Sequence, residues 1–484
     1  MDDETDQSGS GDERAARRPA HGDGRPGAGV RRVRGERLSR RDFLRTTGVS
    51  LTALTAGCPG EATTDSPRPT EPPTRTQVAG TGRAGTVTPR GTPRGSGGSD
   101  PSPTETDTDV YVAPNGRADA PGTQAAPLGD LSRALDRTGP GTTVWLGGGT
   151  YRYDRTVGTR GLAGTADAPV VVAPEPGERP VFDFESASVG GLRFSECRHL
   201  VLRGFAVRNA PSRGLFVEDR SSDVVVEDVT VGSSGGDPDA SGAGVFVLDS
   251  ESVTLRRVRS QNNYDPSSGG SNADGIGIET SPDSVVESCV ARGNSDDGFD
   301  LWQATGVTLW GCLSSDNGYD PNGDGAGDGN GFKLGGGDRS GDNVVRRCVA
   351  FDNRERGFDD NGATSPVTLH NCTAWRNPIA FRLGCDFDGP DTVCPAHHLR
   401  NNLSVEGALN LSPFVDSAAN SWELGIADPE FASTDRDRPD FLHLSAGSPA
   451  IDAGVDVGLS YRGEAPDLGA YKFRPNPTPT EPGV

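Results

Sequence analysis

The chain has 484 residues, of which only 32% are hydrophobic, with 68 glycines, 37 prolines and one methionine. Long apolar segments are scarce, which excludes a core of packed helices and favours a repetitive β architecture with a turn at every corner. The 69 acidic residues outnumber 47 basic ones and leave a net charge of −22, which argues against nucleic acid as a partner and resembles the surfaces of proteins from extreme halophiles.

Residues 1–57 read as an N-terminal extension that ends in an export signal. A charged, glycine-rich stretch leads to Ser39-Arg40-Arg41-Asp42-Phe43-Leu44-Arg45 and then to a mild apolar run through Ala56. The twin arginine before Phe-Leu is the pattern of Tat export, and the apolar run is too short to span a membrane. Leu54-Thr55-Ala56-Gly57-Cys58 reads as a lipobox with Cys58 as the lipidated residue; a cleaved soluble signal peptide is the alternative. The expected location is the outer face of the cell membrane, touched only through the lipid. Residues 58–107 are rich in Thr, Pro and Gly and cannot build a core, so they read as a stalk. Such a stalk suits a surface enzyme and a surface adhesin equally.

The folded region is expected over 108–475, with a loose tail at 476–484. It opens at Val110-Tyr111-Val112, and Leu128, Leu131 and Leu135 have the spacing of a short capping helix. A cap is needed because the bare end of a solenoid exposes apolar stack and an unpaired strand edge.

The repeat is the main signal. Cys289, Cys312, Cys348 and Cys372 are each followed five positions later by asparagine, at Asn294, Asn317, Asn353 and Asn377. Val258 with Asn263 keeps the spacing, Val229 with Ser234 keeps it loosely, and a short Val-rich strand precedes each. The intervals from Val229 onward are 29, 31, 23, 36 and 24 residues. A fixed core pattern with variable intervals predicts one coil per interval, with loops inserted on one side. A single coil cannot bury its own inward face, so coils must stack; the fold class expected is an all-β, right-handed parallel β-helix. The cysteines should be buried in a column, and the asparagines should stack at a corner in left-handed backbone geometry. Cys385 and Cys394 bracket a short loop and are candidates for a disulfide.

Most coils re-enter a strand through a Gly-apolar pair: Gly275-Ile276, Gly298-Phe299, Gly331-Phe332 and Gly357-Phe358, with Ala380-Phe381 as a looser member. If the apolar residue points inward, its neighbours point out. The outward column then reads Gly277, Asp300, Lys333, Asp359, Arg382, and the position before the glycine reads Asp274, Asp297, Asn330, Arg356. One exposed face would carry the whole group.

Asp274 and Asp297 fall at equivalent positions of adjacent coils, with Asp296 and Asp300 beside them. Four converging carboxylates repel one another unless a cation neutralises them, and an all-oxygen set suits Ca²⁺. A solvated acidic patch is the alternative. Lysine occurs only twice, as Lys333 and Lys472, every other Lys/Arg position being arginine. A lysine can be tuned to a neutral base where an arginine cannot, although neighbouring aspartates oppose that and a salt bridge is the plainer role. Arg356 and Arg382 are candidates for gripping carboxylates of a substrate. Asp320-Pro321-Asn322-Gly323-Asp324-Gly325 matches the first half of an EF-hand loop, but the twelfth position is Gly331, so a flexible turn is expected.

The segments Asn272-Ala273-Asp274-Gly275, Asn294-Ser295-Asp296-Asp297-Gly298-Phe299-Asp300 and Gly329-Asn330-Gly331-Phe332-Lys333-Leu334-Gly335-Gly336 together resemble the pectate lyases of polysaccharide lyase family 9, over residues 108–400. By that resemblance Asp274, Asp296, Asp297 and Asp300 match the calcium ligands and Lys333 the catalytic base. The activity implied is Ca²⁺-dependent β-elimination on polygalacturonate, by a monomer whose partner is the acidic polysaccharide. Two other readings stand beside it: a non-catalytic, glycan-binding or adhesive solenoid, and a lyase or epimerase for another uronate polymer such as alginate.

Overall fold

A computed structural model describes residues 109–235, 243–384 and 395–475. The export signal with Cys58, the stalk, the Cys385–Cys394 pair and the tail lie outside the described residues.

Among the described residues the chain winds through three parallel sheets of twelve, ten and ten strands. Each full turn gives one strand to each sheet: Val285–Glu287, Val290–Arg292 and Phe299–Asp300, then Thr308–Trp310, Leu313–Ser315 and Asn330–Lys333 one turn further on. The strands are short because each is closed by a corner. Val, Leu, Ile and Phe alternate with polar residues along them, and the apolar set fills the interior as one continuous core.

Identical side chains stack from turn to turn inside that core. Phe299, Phe332, Phe358 and Phe381 lie face to face, with centroids 4.7, 4.9 and 5.0 Å apart and rings within 9° of parallel. Cys289, Cys312, Cys348 and Cys372 form the buried thiol column read from the spacing. The asparagines form a ladder: the side-chain amide of Asn263 donates to Asn294 at 2.7 Å, Asn294 to Asn317 at 2.9 Å, Asn317 to Asn353 at 2.8 Å and Asn353 to Asn377 at 3.0 Å. Each accepting oxygen also takes the backbone N–H of the preceding asparagine, as Asn353 does from Asn317 at 3.3 Å. A buried amide is thereby satisfied on every turn.

One expectation is corrected here. The left-handed residue is not the ladder asparagine but the one before it: Asn262, Gly293, Asp316, Asp352 and Arg376, with φ between 51° and 65°. The corner must present the asparagine side chain inward. The preceding residue therefore takes the positive φ and points to solvent, which is why its identity varies.

The N-terminal end is capped, and the closing segment packs along the outer face of the second sheet. Asp130 caps the helix Leu131–Leu135, whose Leu131, Ala134 and Leu135 are buried. Leu128 lies before the helix and bridges to Val112 instead. After one further turn the closing segment leaves the coil. Phe441, Leu442 and Ala470 pack against Val349, Phe351, Trp375 and Val405, and Arg436 pairs with Asp316 and Asp352.

Candidate functional site

The third sheet carries the motif residues. Its pairing runs Gly277 to Asp300, Asp300 to Lys333, Lys333 to Asp359 and Asp359 to Arg382, which is the outward column expected from the Gly-apolar pairs. Each glycine before the inward residue has a packing reason. A Cβ on Gly298 would lie 2.0 Å from Ser314 Oγ, and one on Gly331 2.7 Å from the Gly357 carbonyl.

Lys333 sits among carboxylates. Its Nζ lies 3.0 Å from Asp297 Oδ2, 3.6 Å from Asp300 Oδ2 and 3.0 Å from Asp328 Oδ2. Carboxylate oxygens of Asp274, Asp297 and Asp300 come within 4.8 Å of one another, and so do those of Asp296, Asp297 and Asp328. The four aspartates read from the sequence, together with Asp328, thus form two triads that share Asp297.

Backbone donors fix these orientations. Asp274 accepts the Asp297 N–H at 3.2 Å, Asp297 Oδ1 accepts the Asn330 N–H at 2.8 Å, and Asp296 accepts the Asp328 N–H at 2.6 Å. Asp297 Oδ2 is buried and takes no hydrogen bond; its contact is the Lys333 ammonium.

The face is not exposed, contrary to the expectation from the column. Asp274, Asp296, Asp297, Asp300 and Lys333 are all buried. The inserted loop before Asn330 meets them through Asp328, whose N–H reaches Asp296 and whose carboxylate reaches Lys333, and Arg354 pins the loop through the Gly327 carbonyl at 2.7 Å. Asp328, its side chain 46% exposed, forms the solvent-facing lip. Sequence reading missed Asp328, which stands off the repeat; its signal was an acid two positions before Asn330 in a glycine-rich loop.

Burial pushes the Asp297 carboxyl well above the usual carboxylate range; Lys333 pulls the other way, while Asp296, Asp274 and Asp328 add to the rise. Burial alone would lower Lys333, but Asp297, Asp300, Asp328 and Asp296 together carry it well above its ordinary value. The rise at Asp297 thus comes first from burial and then from like-charged neighbours, whereas the rise at Lys333 comes from the carboxylates acting against burial. Five carboxylates, three of them with oxygens fixed by backbone N–H groups, fit a hard divalent cation.

Arg356 and Arg382 flank the cluster, and Asp359 holds both. Arg356 Nη1 is 3.1 Å and Arg382 Nη1 2.8 Å from the Asp359 carboxylate, and Arg356 also donates to Asn330 at 3.2 Å. The Asp320 loop closes on itself, its carboxylate accepting the N–H groups of Asn322 at 2.9 Å and Asp324 at 2.8 Å. That is a local turn, as expected.

Fold and site together define a parallel β-helix with a buried carboxylate–lysine centre on one sheet. The family described as "Pel9A-like, right handed beta helix region" matches residues 110–402. Pectate lyase L of Dickeya dadantii (strain 3937) is 32% identical over 386 residues, covering 71% of this chain and 85% of that one. Pectate lyase PEL9 of Emericella nidulans is 28% identical, covering 62% and 80%. The crystal structure of pectate lyase Pel9A superposes with a TM-score of 0.67 at 30% identity, covering 77% of this chain and 98% of that one. The chain belongs to the Pel9A-like right-handed β-helix family, and is a homologue of pectate lyases and hence of polysaccharide lyases.

Proposed function

We propose that this protein is a calcium-dependent pectate lyase that cleaves polygalacturonate by β-elimination, with Lys333 as the base. The observation that carries this reading is the Lys333 amine, 3.0 Å from Asp297 at the centre of a buried aspartate cluster, in a chain homologous to pectate lyases. Asp274, Asp296, Asp297 and Asp300 would hold the ion, with Asp328 as a fifth candidate. Bound calcium supplies positive charge that screens the aspartates from Lys333 and attracts a uronate carboxylate with the charge developing beside it.

A cation held there would offset the charge of the aspartates, and burial would then favour the neutral form of Lys333. Neutral Lys333 takes the C5 proton, which the adjacent carboxylate acidifies; the C5 electron pair forms the C4–C5 double bond, the C4–oxygen bond breaks, and the departing oxygen takes a proton from water. The products are a new reducing end and a 4,5-unsaturated uronate. Arg356 and Arg382, already held by Asp359, stand where further carboxylates of the chain can be gripped. We also propose export by Tat and lipid anchoring through Cys58, supported by the twin arginine and the lipobox.

The test is incubation with polygalacturonate in high salt, with and without Ca²⁺, following ultraviolet absorbance of the unsaturated product. High salt matters because substrate and protein are both anionic. Absorbance should rise only with calcium. Folded protein that binds polygalacturonate yet gives no rise across alkaline pH, or that acts on alginate instead, rejects the assignment.

A further inference from the structure

Two loops inserted into the coil start with the same three residues. Tyr264-Asp265-Pro266 follows the ladder asparagine Asn263, and Tyr319-Asp320-Pro321 follows Asn317 after one glycine. In each, the aspartate accepts the N–H two positions on at 2.9 Å, from Ser267 and from Asn322. The same turn is thus built twice, two coils apart, and sets a tyrosine beside the same corner each time. The coil between them has no insertion there and carries Gly293 at its left-handed corner.

Tyr264 and Tyr319 line a cavity of about 620 Å³. Its floor is the row of corner residues Ser233, Asn262, Gly293 and Asp316, each with positive φ. Gly293 keeps that floor open, since a Cβ there would meet Asn262 Oδ1 at 2.8 Å. Two coils span about 10 Å at the ordinary strand spacing, room for one sugar ring between two aromatic side chains. The groups left for a ligand are uncharged. The hydroxyls of Ser233, Tyr264 and Tyr319 and the side-chain amide of Asn262 make no hydrogen bond among the described residues. The two acids of the lining are already engaged, Asp316 by Arg292 at 3.1 Å and Arg436 at 3.0 Å, and Asp320 by its own turn.

We propose that this cavity is a binding site for a neutral sugar, held between Tyr264 and Tyr319. The C–H faces of a pyranose pack against aromatic rings, and its hydroxyls match the free hydroxyl and amide groups of the lining. A uronate is disfavoured, because no cation lines the cavity among the described residues and its two carboxylates would repel one. Both loops also reach the acidic centre: the Asn272 N–H donates to Asp296 at 2.5 Å, and Asp328 meets the Lys333 amine at 3.0 Å. The cavity therefore flanks that centre, where a neutral branch of an acidic polysaccharide would fall. The inference rests on the proposed polyuronate substrate for that placement, and on the cavity itself for the chemistry of the ligand.

The test is calorimetry on the full-length protein without Ca²⁺, with galactotetraose, a neutral counterpart of tetragalacturonate, as the probe. Galactotetraose should bind, and tetragalacturonate should not compete for the site. Gly293→Asn, the residue that the neighbouring corner already carries at Asn262, fills the floor and should abolish binding. Tyr319→Ala, on an exposed loop, should weaken binding roughly 2- to 10-fold, the worth of an aromatic contact, whereas Tyr319→Phe should keep most of the affinity. No binding at millimolar galactotetraose overturns the proposal, and so does unchanged affinity in Gly293→Asn or in Tyr319→Ala. Competition by tetragalacturonate at equal affinity overturns it as well, since the site would then not select against charge. Cleavage is read separately by absorbance. A protein that cleaves polygalacturonate yet binds no galactotetraose refutes this inference alone, and one that binds without cleaving refutes the proposed function alone.

Discussion

Inside and outside of the same four turns follow opposite rules. Inward, Phe299, Phe332, Phe358 and Phe381 repeat one residue with nearly parallel rings. The next position outward reads Asp300, Lys333, Asp359, Arg382, changing charge at every step. Stacking forces like against like at about 4.8 Å spacing. Identical aromatic rings gain from that, whereas identical charges would repel. The interior can therefore repeat, but the outer column must alternate or bind counter-charge, and where two acids do stack, at Asp274 and Asp297, a cation is called for.

The largest effect expected from breaking this contrast is at Lys333. Lys333→Ala should lower turnover by roughly 10²–10⁴-fold, the usual contribution of a general base, measured as unsaturated product at saturating Ca²⁺. Lys333→Arg preserves the charge alternation but cannot deprotonate, and should be equally inactive. A Lys333→Arg enzyme that turns over would leave the lysine as an ion-pair partner only. On the inner side, Phe332→Ala removes the ring between Phe299 and Phe358 and should cost about 3–5 kcal/mol in chemical denaturation. An effect under about 1 kcal/mol would mean that the stack contributes little beyond its neighbours. Next comes the ladder. Asn317→Ala takes the Asn317 oxygen from the Asn294 amide and leaves the Asn353 oxygen with only the backbone N–H of residue 317, which should destabilise by about 1–3 kcal/mol. Asn317→Asp should be no better, since a buried carboxylate is introduced.

The contrast also explains what could be read from the chain. Cys-x4-Asn and the Gly-apolar pairs exposed the inner repeat, and strand register then fixed the outward column through Arg382. Asp328 escaped because loops inserted between turns do not follow the repeat. The surroundings of Lys333 escaped in part for the same reason, since Asp328 of the loop pinned by Arg354 reaches its amine. The left-handed residue was misplaced by one position because solvent-facing corner residues such as Asp316, Asp352 and Arg376 share no identity.

The smallest expected effect compares the charge rule on two sheets. On the first sheet the outward pairing places His370 between Arg346 and Arg400, as Lys333 lies between Asp300 and Asp359 on the third. Burial, reinforced by Arg346, Arg400 and His398, lowers the His370 imidazole to about 4 from 6.5, and its buried Nδ1 takes no hydrogen bond. The folded protein thus keeps His370 neutral where the unfolded chain would protonate it. Its cost to stability is absent above pH 6.5 and grows as the pH falls toward 4, where the unfolded state binds the extra proton. Wild type should therefore lose stability more steeply than His370→Gln across that window and match its slope at neutral pH. Parallel slopes throughout would mean that stacking between two arginines does not govern this proton, and would weaken the same reasoning for Lys333.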